Sequence, residues 1–231
     1  MKLNLGCGRI IFPLDRDNLP PYKVHLEPFH DSMFEPGWVN VDKYQNPGVN
    51  ETIDLFKFPW IRSSNGSPFN DSSVDEIYCG HILEHVPHKV EVDNSVPFNW
   101  AKKYHRQVEE LDGFFVFFAE VYRILKPDGL VYVRCPYAFS TAAMADPTHT
   151  RYIVPGSFSY LAGQDDTTKA PFDYHLPMRF EQFESILTRA TTLGGQISAM
   201  IKERDSDQNE LRLYNDVVDE IRIVLRAVKD Q

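Results

Sequence analysis

Three short stretches of the 231-residue chain carry side chains suited to chemistry. In Leu3-Asn4-Leu5-Gly6-Cys7-Gly8 an apolar run stops on two glycines one residue apart, which lets the backbone approach a bound group closely. In His81-Ile82-Leu83-Glu84-His85 two imidazoles stand four residues apart with a carboxylate between them. On a helical turn those three share a face, and the donor set suits a divalent cation. In Asp146-Pro147-Thr148-His149-Thr150-Arg151 an imidazole stands near an acid, and histidine serves as a general base near neutral pH. Each stretch also has a plainer account: a tight turn, a packed helical cap, and a proline turn whose polar groups satisfy the loop backbone. For His81, Glu84 and His85 the plainer account is adopted, so no metal is assigned and the three stand only as candidates. His149 and Asp146 are the candidate catalytic pair.

Elements that can position these stretches follow from the apolar pattern. Lys2–Leu5 is apolar on both faces and stops at glycine, as a buried parallel strand does. Five prolines between Arg9 and Pro36 exclude a long helix there, so loop and short turns are expected. Further strands are read at Gly37–Asp42, Thr52–Leu55, Val74–Cys79 and Leu130–Cys135. A short helical turn is read at Ile82–Val86. Phe114–Leu125 has helical spacing and is stopped by Lys126-Pro127-Asp128-Gly129. The segment from Pro177 to Gly194 reads as a helix with acids near its start, and Gln196–Glu203 and Asp219–Val228 read as strands. Strands alternating with helices give an α/β fold: a Rossmann-like, mostly parallel seven-stranded sheet with an antiparallel C-terminal strand and helices on both faces. One domain spanning 1–231 is expected, with insertions near 9–36, 88–112 and 136–177.

In such a sheet ligands bind outside the carboxyl ends of the strands. Asp42 ends the second strand, where a carboxylate can accept hydrogen bonds from both hydroxyls of a ribose. Asp54 follows the third strand, within reach of an adenine edge or as an ordinary Asx turn. A nicotinamide fingerprint would place a small residue where Ile11 stands, which argues against a dehydrogenase. Trp100, Tyr104 and His105 lie in the long 88–112 insertion, a candidate lid or surface embellishment.

Composition narrows the partners. A net charge of −9 disfavours nucleic acid, whose backbone calls for clustered positive charge, and fits a small-molecule substrate. Cys7, Cys79 and Cys135 form no C-x-x-C pair, so neither a disulfide framework nor a zinc knuckle is indicated and a reducing, cytoplasmic setting is expected. No run approaches ~18 apolar residues, so membrane insertion is not expected.

The series L-N-L-G-C-G, G-W-V-N-V-D, I-D-L, S-P-F-N-D-S-S-V-D-E-I, H-I-L-E-H-V and V-Y-R-I-L-K-P-D-G-L, spread over residues 2–135, resembles the ordered motifs of class I methyltransferases, in the branch called methyltransferase type 11. The resemblance implies S-adenosyl-L-methionine as cofactor. It places Gly6 and Gly8, with Cys7 between them, at the methionine end, Asp42 on the ribose, and Asp54 with Leu55 beside the adenine. Asn4, where the family often has an acid, and His81 complete the implied cofactor set. The implied reaction is methyl transfer to a small molecule, at an oxygen of a sugar, glycolipid precursor or other metabolite. The alternatives are a nucleic-acid or protein methyltransferase, or a cofactor-binding module without transfer activity. An N-P-P-Y or D-P-P-Y sequence after the fourth strand is absent, which counts against amino-group DNA methylation.

Overall fold

A computed structural model of the chain describes residues 1–15, 31–93, 112–161, 178–189 and 218–229. Strands β1 (Lys2–Leu5), β2 (Trp38–Asp42), β3 (Glu51–Thr52), β5 (Val74–Gly80), β7 (Leu125–Pro136), β8 (Phe180–Arg189) and β9 (Val218–Ala227) form one seven-stranded sheet in the order β3-β2-β1-β5-β7-β9-β8. The pairs from β3 to β7 are parallel, and β9 is antiparallel to both of its neighbours, so it alone runs against the other six. A two-stranded parallel pair, β4 (Lys57–Phe58) with β6 (Glu91–Val92), lies apart from this sheet. No helix among the described residues is long and apolar enough to cross a membrane.

Alternation along the strands divides the core in two. Leu3, Leu5, Val41, Ile77, Cys79, Val131, Val133, Ile221 and Ile223 face a large cluster with helix α1 (Gly113–Ile124). Asp112 starts α1 as an N-cap, its carboxylate accepting the Phe114 N–H at 2.9 Å. The phenylalanines at 114, 117 and 118, with Val121 and Ile124, supply the buried side of that helix. On the other face Phe12, Leu14 and Met33 pack on Trp38, Tyr78, Tyr132 and Val224. The described cover there is coil and a 3-10 turn, Asp31–Phe34, as the prolines of this region require.

One expected element is corrected. Phe180–Arg189, read as part of a helix, is strand β8, paired with β9 from Phe180↔Ala227 to Arg189↔Val218. Helical spacing of Phe180, Phe183 and Leu187 was misleading, because nine residues of antiparallel pairing outweigh a local preference. Phe183 falls at a bulge, is 58% exposed, and lies under the Arg226 guanidinium. The strand expected at 196–203 lies outside the described residues, as do Trp100, Tyr104 and His105.

Short β3 is held by its own side chain. Buried Glu51 accepts hydrogen bonds from the Ser64 N–H (2.9 Å), the Ser63 hydroxyl (3.0 Å) and Arg62 Nε (3.0 Å). Burial disfavours its charge, but these donors outweigh that and hold the carboxyl below its ordinary value. A group lowered on folding stabilises above its unfolded pKa, and that contribution fades as pH falls through the folded value. Glu51→Gln is therefore expected to cost about 1.5–3 kcal/mol at neutral pH. The difference from wild type should shrink below pH 4.5, the ordinary glutamate value, in urea denaturation series at stepped pH.

Candidate functional site

The order of strands reverses beside β1: the chain steps outward through β2 to β3 and then returns to β5 on the other side of β1, so a crevice opens at the carboxyl ends of these strands. Gly6 and Gly8 both adopt left-handed backbone there, with φ of +60° and +52°. A Cβ on Gly6 would stand 2.7 Å from Ile82 Cγ1, so the turn needs glycine for space as well as for conformation. Cys7 N–H donates to the Val41 carbonyl (3.0 Å), and Gly8 N–H donates to Asp42 Oδ2 (2.7 Å). Asp42 Oδ1 accepts from Tyr44 N–H (2.9 Å), so two of its roughly four lone-pair sites are taken. Asn4 Nδ2 donates to the Ile10 carbonyl (2.7 Å) and to Asn40 Oδ1 (2.9 Å), ordering the chain that leaves the turn.

A cavity of about 360 Å³ opens at this point. Asn4, Gly6, Cys7 and Ile10 form one wall; Tyr78, Gly80 and His81 from β5 and its end form another; Arg134, Ala142 and Glu220 close it. Burial, with Asp42 nearby, pushes the Cys7 thiol up to about 11, so it is an uncharged wall rather than a nucleophile. Burial likewise pushes the Tyr78 phenol up to about 12.

Opposite the glycines lies a chain of ionic contacts. Arg134, 2% exposed, donates from Nε to Glu220 Oε2 at 2.7 Å. Glu220 Oε1 lies 3.0 Å from His81 Nε2, and His81 Nδ1 lies 3.2 Å from Glu84 Oε1. His81 itself has φ +55°, and its N–H donates to the Arg134 carbonyl. Burial disfavours the imidazolium, but Glu220 and Glu84 outweigh it and raise His81 to about 9. Burial also works against the Glu220 carboxylate, and His81 and Arg134 hold it below its ordinary range.

Of the residues expected at a cofactor, Asn4, Gly6, Cys7 and His81 line the cavity, and Gly8 and Asp42 are joined to each other at its β1–β2 side. Asp54 and Leu55 do not line it. Asp54 Oδ1 accepts from Phe56 N–H (3.2 Å) in an Asx turn, Asp54 Oδ2 lies 3.4 Å from Lys43 Nζ, and Leu55 is buried in the large core. Tyr78 and Glu220 were not anticipated at the site. At the end of the fifth strand Arg134 reads from sequence as a residue that contacts substrate or, more simply, as an outward arginine, whereas it is buried, with β9 paired along that edge of β7.

The loop of Asp146–Arg151 docks on the turn Leu83–His85. Thr150 and Arg151 N–H groups donate to the Glu84 carbonyl (2.8 and 3.2 Å), and Arg151 Nη1 pairs with Asp112 Oδ1 at 2.8 Å. Asp146 Oδ1 accepts from the Thr148 N–H (2.8 Å) and hydroxyl (2.6 Å). His149 does not line the cavity: its ring meets that of His85 edge to face, centroids 4.7 Å apart. The trio His81, Glu84 and His85 is therefore not the set brought together. His81 commits both nitrogens to carboxylates, and His149 joins Glu84 and His85 in its place.

No protein-family model matches the chain, nor does any curated protein sequence. Solved structures do align over most of it. A SAM-dependent methyltransferase from Archaeoglobus fulgidus is 15% identical over 97% of this chain and 85% of its own, at a TM-score of 0.48. The YcgJ protein from Bacillus subtilis is 10% identical over 100% and 92%, at 0.49. The 1,6-didemethyltoxoflavin-N1-methyltransferase of Burkholderia thailandensis, with bound 1,6-didemethyltoxoflavin and S-adenosylhomocysteine, is 10% identical over 99% and 71%, at 0.43. The strand order of this chain, six parallel strands and a single reversed strand next to the edge, gives the expected Rossmann-like, mostly parallel seven-stranded sheet.

Proposed function

We propose that this protein is an S-adenosyl-L-methionine-dependent methyltransferase acting on a small molecule, with transfer to an oxygen. One observation carries the reading: two left-handed glycines end β1 directly against the carboxylate that ends β2, at the mouth of a cavity of about 360 Å³. The cradle fits the cofactor by its own shape, since a Cβ at Gly8 would meet nothing within 4 Å, so the backbone there is open to a bound group, and Asp42 keeps lone pairs for a diol. Gly6, Cys7 and Gly8 would hold the methionine end and Asp42 the ribose. When bound, the cofactor supplies a methyl group on a sulfonium, open to in-line displacement.

The chain's own residues contribute mainly alignment. Arg134 fixes Glu220, and Glu220 with Glu84 fixes His81, giving a rigid wall across from the glycines. His81, raised to about 9, is cationic at neutral pH and so is a charged wall rather than a base. His149 and Asp146, candidates for proton transfer by sequence, face the Glu84–His85 turn and their own loop, so the proton that an alcohol acceptor loses on methylation passes to solvent. The net charge of −9 supports a small acceptor over a nucleic acid.

Isothermal titration with S-adenosylmethionine and S-adenosylhomocysteine tests the cofactor. Saturable binding is expected, and Asp42→Ala should weaken it by roughly 10–100-fold, the worth of lost charge-assisted hydrogen bonds. No binding to protein with wild-type circular dichroism overturns the reading. Release of S-adenosylhomocysteine on adding candidate alcohols then tests transfer to oxygen.

A further inference from the structure

The residues Glu84, His85 and His149 come from two separated stretches, yet a ligating atom of each lies within 4.8 Å of the others. We infer that they form a binding site for a divalent transition-metal ion of the zinc type, beside the cavity and distinct from its glycine cradle.

Three observations support it independently of proximity. First, the Glu84 side chain is 2% exposed, and its Oε2 has no hydrogen-bond partner. Its charged neighbour His81, with Nδ1 3.2 Å from Oε1, has the other ring nitrogen on Glu220. Such a carboxylate carries a desolvation cost that a coordinated cation would offset. Second, both histidines have Nδ1 directed at oxygen acceptors. His149 Nδ1 lies 2.8 Å from the Ala143 carbonyl, and His85 Nδ1 lies 3.1 Å from Thr148 Oγ1, whose own hydrogen goes to Asp146. Those acceptors select the tautomer with hydrogen on Nδ1, which leaves each Nε2 with a free lone pair. Metal-binding histidines are oriented in this way, by a carbonyl or hydroxyl on the nitrogen away from the metal. Third, the backbone already joins the two stretches, through the Thr150 and Arg151 N–H bonds to the Glu84 carbonyl.

Two imidazole nitrogens and one carboxylate oxygen suit zinc and its neighbours, while magnesium and calcium prefer oxygen alone. Three protein ligands leave a fourth position for water, and Asp146 Oδ2 lies 3.9 Å from His149 Nε2. Tetrahedral bonds of about 2.0–2.1 Å put ligand atoms roughly 3.4 Å apart, so closure takes about an ångström of side-chain movement. The ion would staple the Asp146–Arg151 loop to the Leu83–His85 turn. This inference does not rest on methyl transfer.

The test uses the full chain, stripped with a chelator and then titrated separately with Co²⁺, Zn²⁺ and Mg²⁺. Expected are one equivalent of Co²⁺ with visible d–d absorption, displacement of that absorption by Zn²⁺, and no competition from Mg²⁺. His85→Ala and His149→Ala should each weaken binding by more than about 100-fold, beyond the usual effect of a residue that only orients a ligand. Exposed His88, outside the cluster, serves as the control and should leave binding unchanged as His88→Ala. If an alanine variant fails to fold, Glu84→Gln, nearly isosteric, provides the same comparison. Absence of Co²⁺ absorption with folded wild-type protein overturns the site, as does wild-type affinity in folded His85→Ala, His149→Ala or Glu84→Gln. Parallel titration with S-adenosylmethionine keeps this outcome separate from the cofactor reading.

Discussion

Arg134→Met is expected to lower the free energy of unfolding by about 3–5 kcal/mol, the usual cost of removing one partner from a buried ion pair. Arg134 is 2% exposed and Glu220 4%, so water cannot replace the lost guanidinium. His81 contacts the same carboxylate, but through its other oxygen, and leaves Oε2 without its arginine donors. The loss is thus dominated by a stranded charge and only secondarily by the missing bond. That distinction is measurable. Arg134→Met combined with Glu220→Leu removes both charges, and should recover most of the stability, since apolar replacements of a whole buried pair are often neutral. Urea denaturation of the two single variants and the double variant forms the cycle. A loss below about 1 kcal/mol for Arg134→Met would place the pair at a solvated surface and contradict its burial.

Gly6→Ala is expected to impair folding and cofactor binding together, and Gly8→Ala far less. Both positions have positive φ, which costs a residue with a Cβ roughly 1–2 kcal/mol. Only at Gly6 does the added carbon also collide, with Ile82 Cγ1 and Cδ1 at 2.7 and 2.8 Å, whereas at Gly8 it meets nothing within 4 Å. Ile82 is buried and begins the turn that carries Glu84 and His85, so it yields only by disturbing that turn. A total of about 2–4 kcal/mol is expected for Gly6→Ala, combining backbone strain with overpacking. Its affinity for S-adenosylhomocysteine should fall by at least tenfold more than that of Gly8→Ala in paired titrations. Equal effects at the two glycines would mean that conformation alone, not the contact with Ile82, sets the requirement.

The sequence made the sheet legible where burial on two faces leaves little choice. Lys2–Leu5 and Trp38–Asp42 are short runs ended by Gly6 and Asp42, where the reading put their ends, and Val74–Gly80 runs one residue past the expected Cys79. The glycine turn and Asp42 were legible for the same reason, since strand ends in a parallel sheet converge on one crevice. Long-range pairing hid the rest. Phe180–Arg189 carries helical spacing that only its ladder to β9 overrides. Arg134 lies near the end of an apolar strand, where an arginine often faces outward, and its partner is Glu220, 86 residues away. A hint existed in Glu220-Ile221-Arg222-Ile223-Val224-Leu225-Arg226, where Ile221, Ile223 and Leu225 claim one face and set the charges on the other. That second face is also covered, since Glu220, Arg222 and Val224 on it are buried, and its charges had to find partners. His149 was read beside Asp146 in sequence, whereas the fold turns it toward Glu84 and His85.

The position of β9 between β7 and β8 bears on how the protein is made. At the ribosome the glycines, His81 and Arg134 all emerge long before Glu220. Until then β7 has an open edge, a feature that invites wrong pairing, and Arg134 lacks its counter-ion. Strand β8 emerges earlier than β9 but has no place in the sheet without it. Assembly of the cavity is therefore one late event in biosynthesis, and a nascent chain halted before Val218 would carry every other wall of the site yet depend on chaperones rather than on ligand for protection.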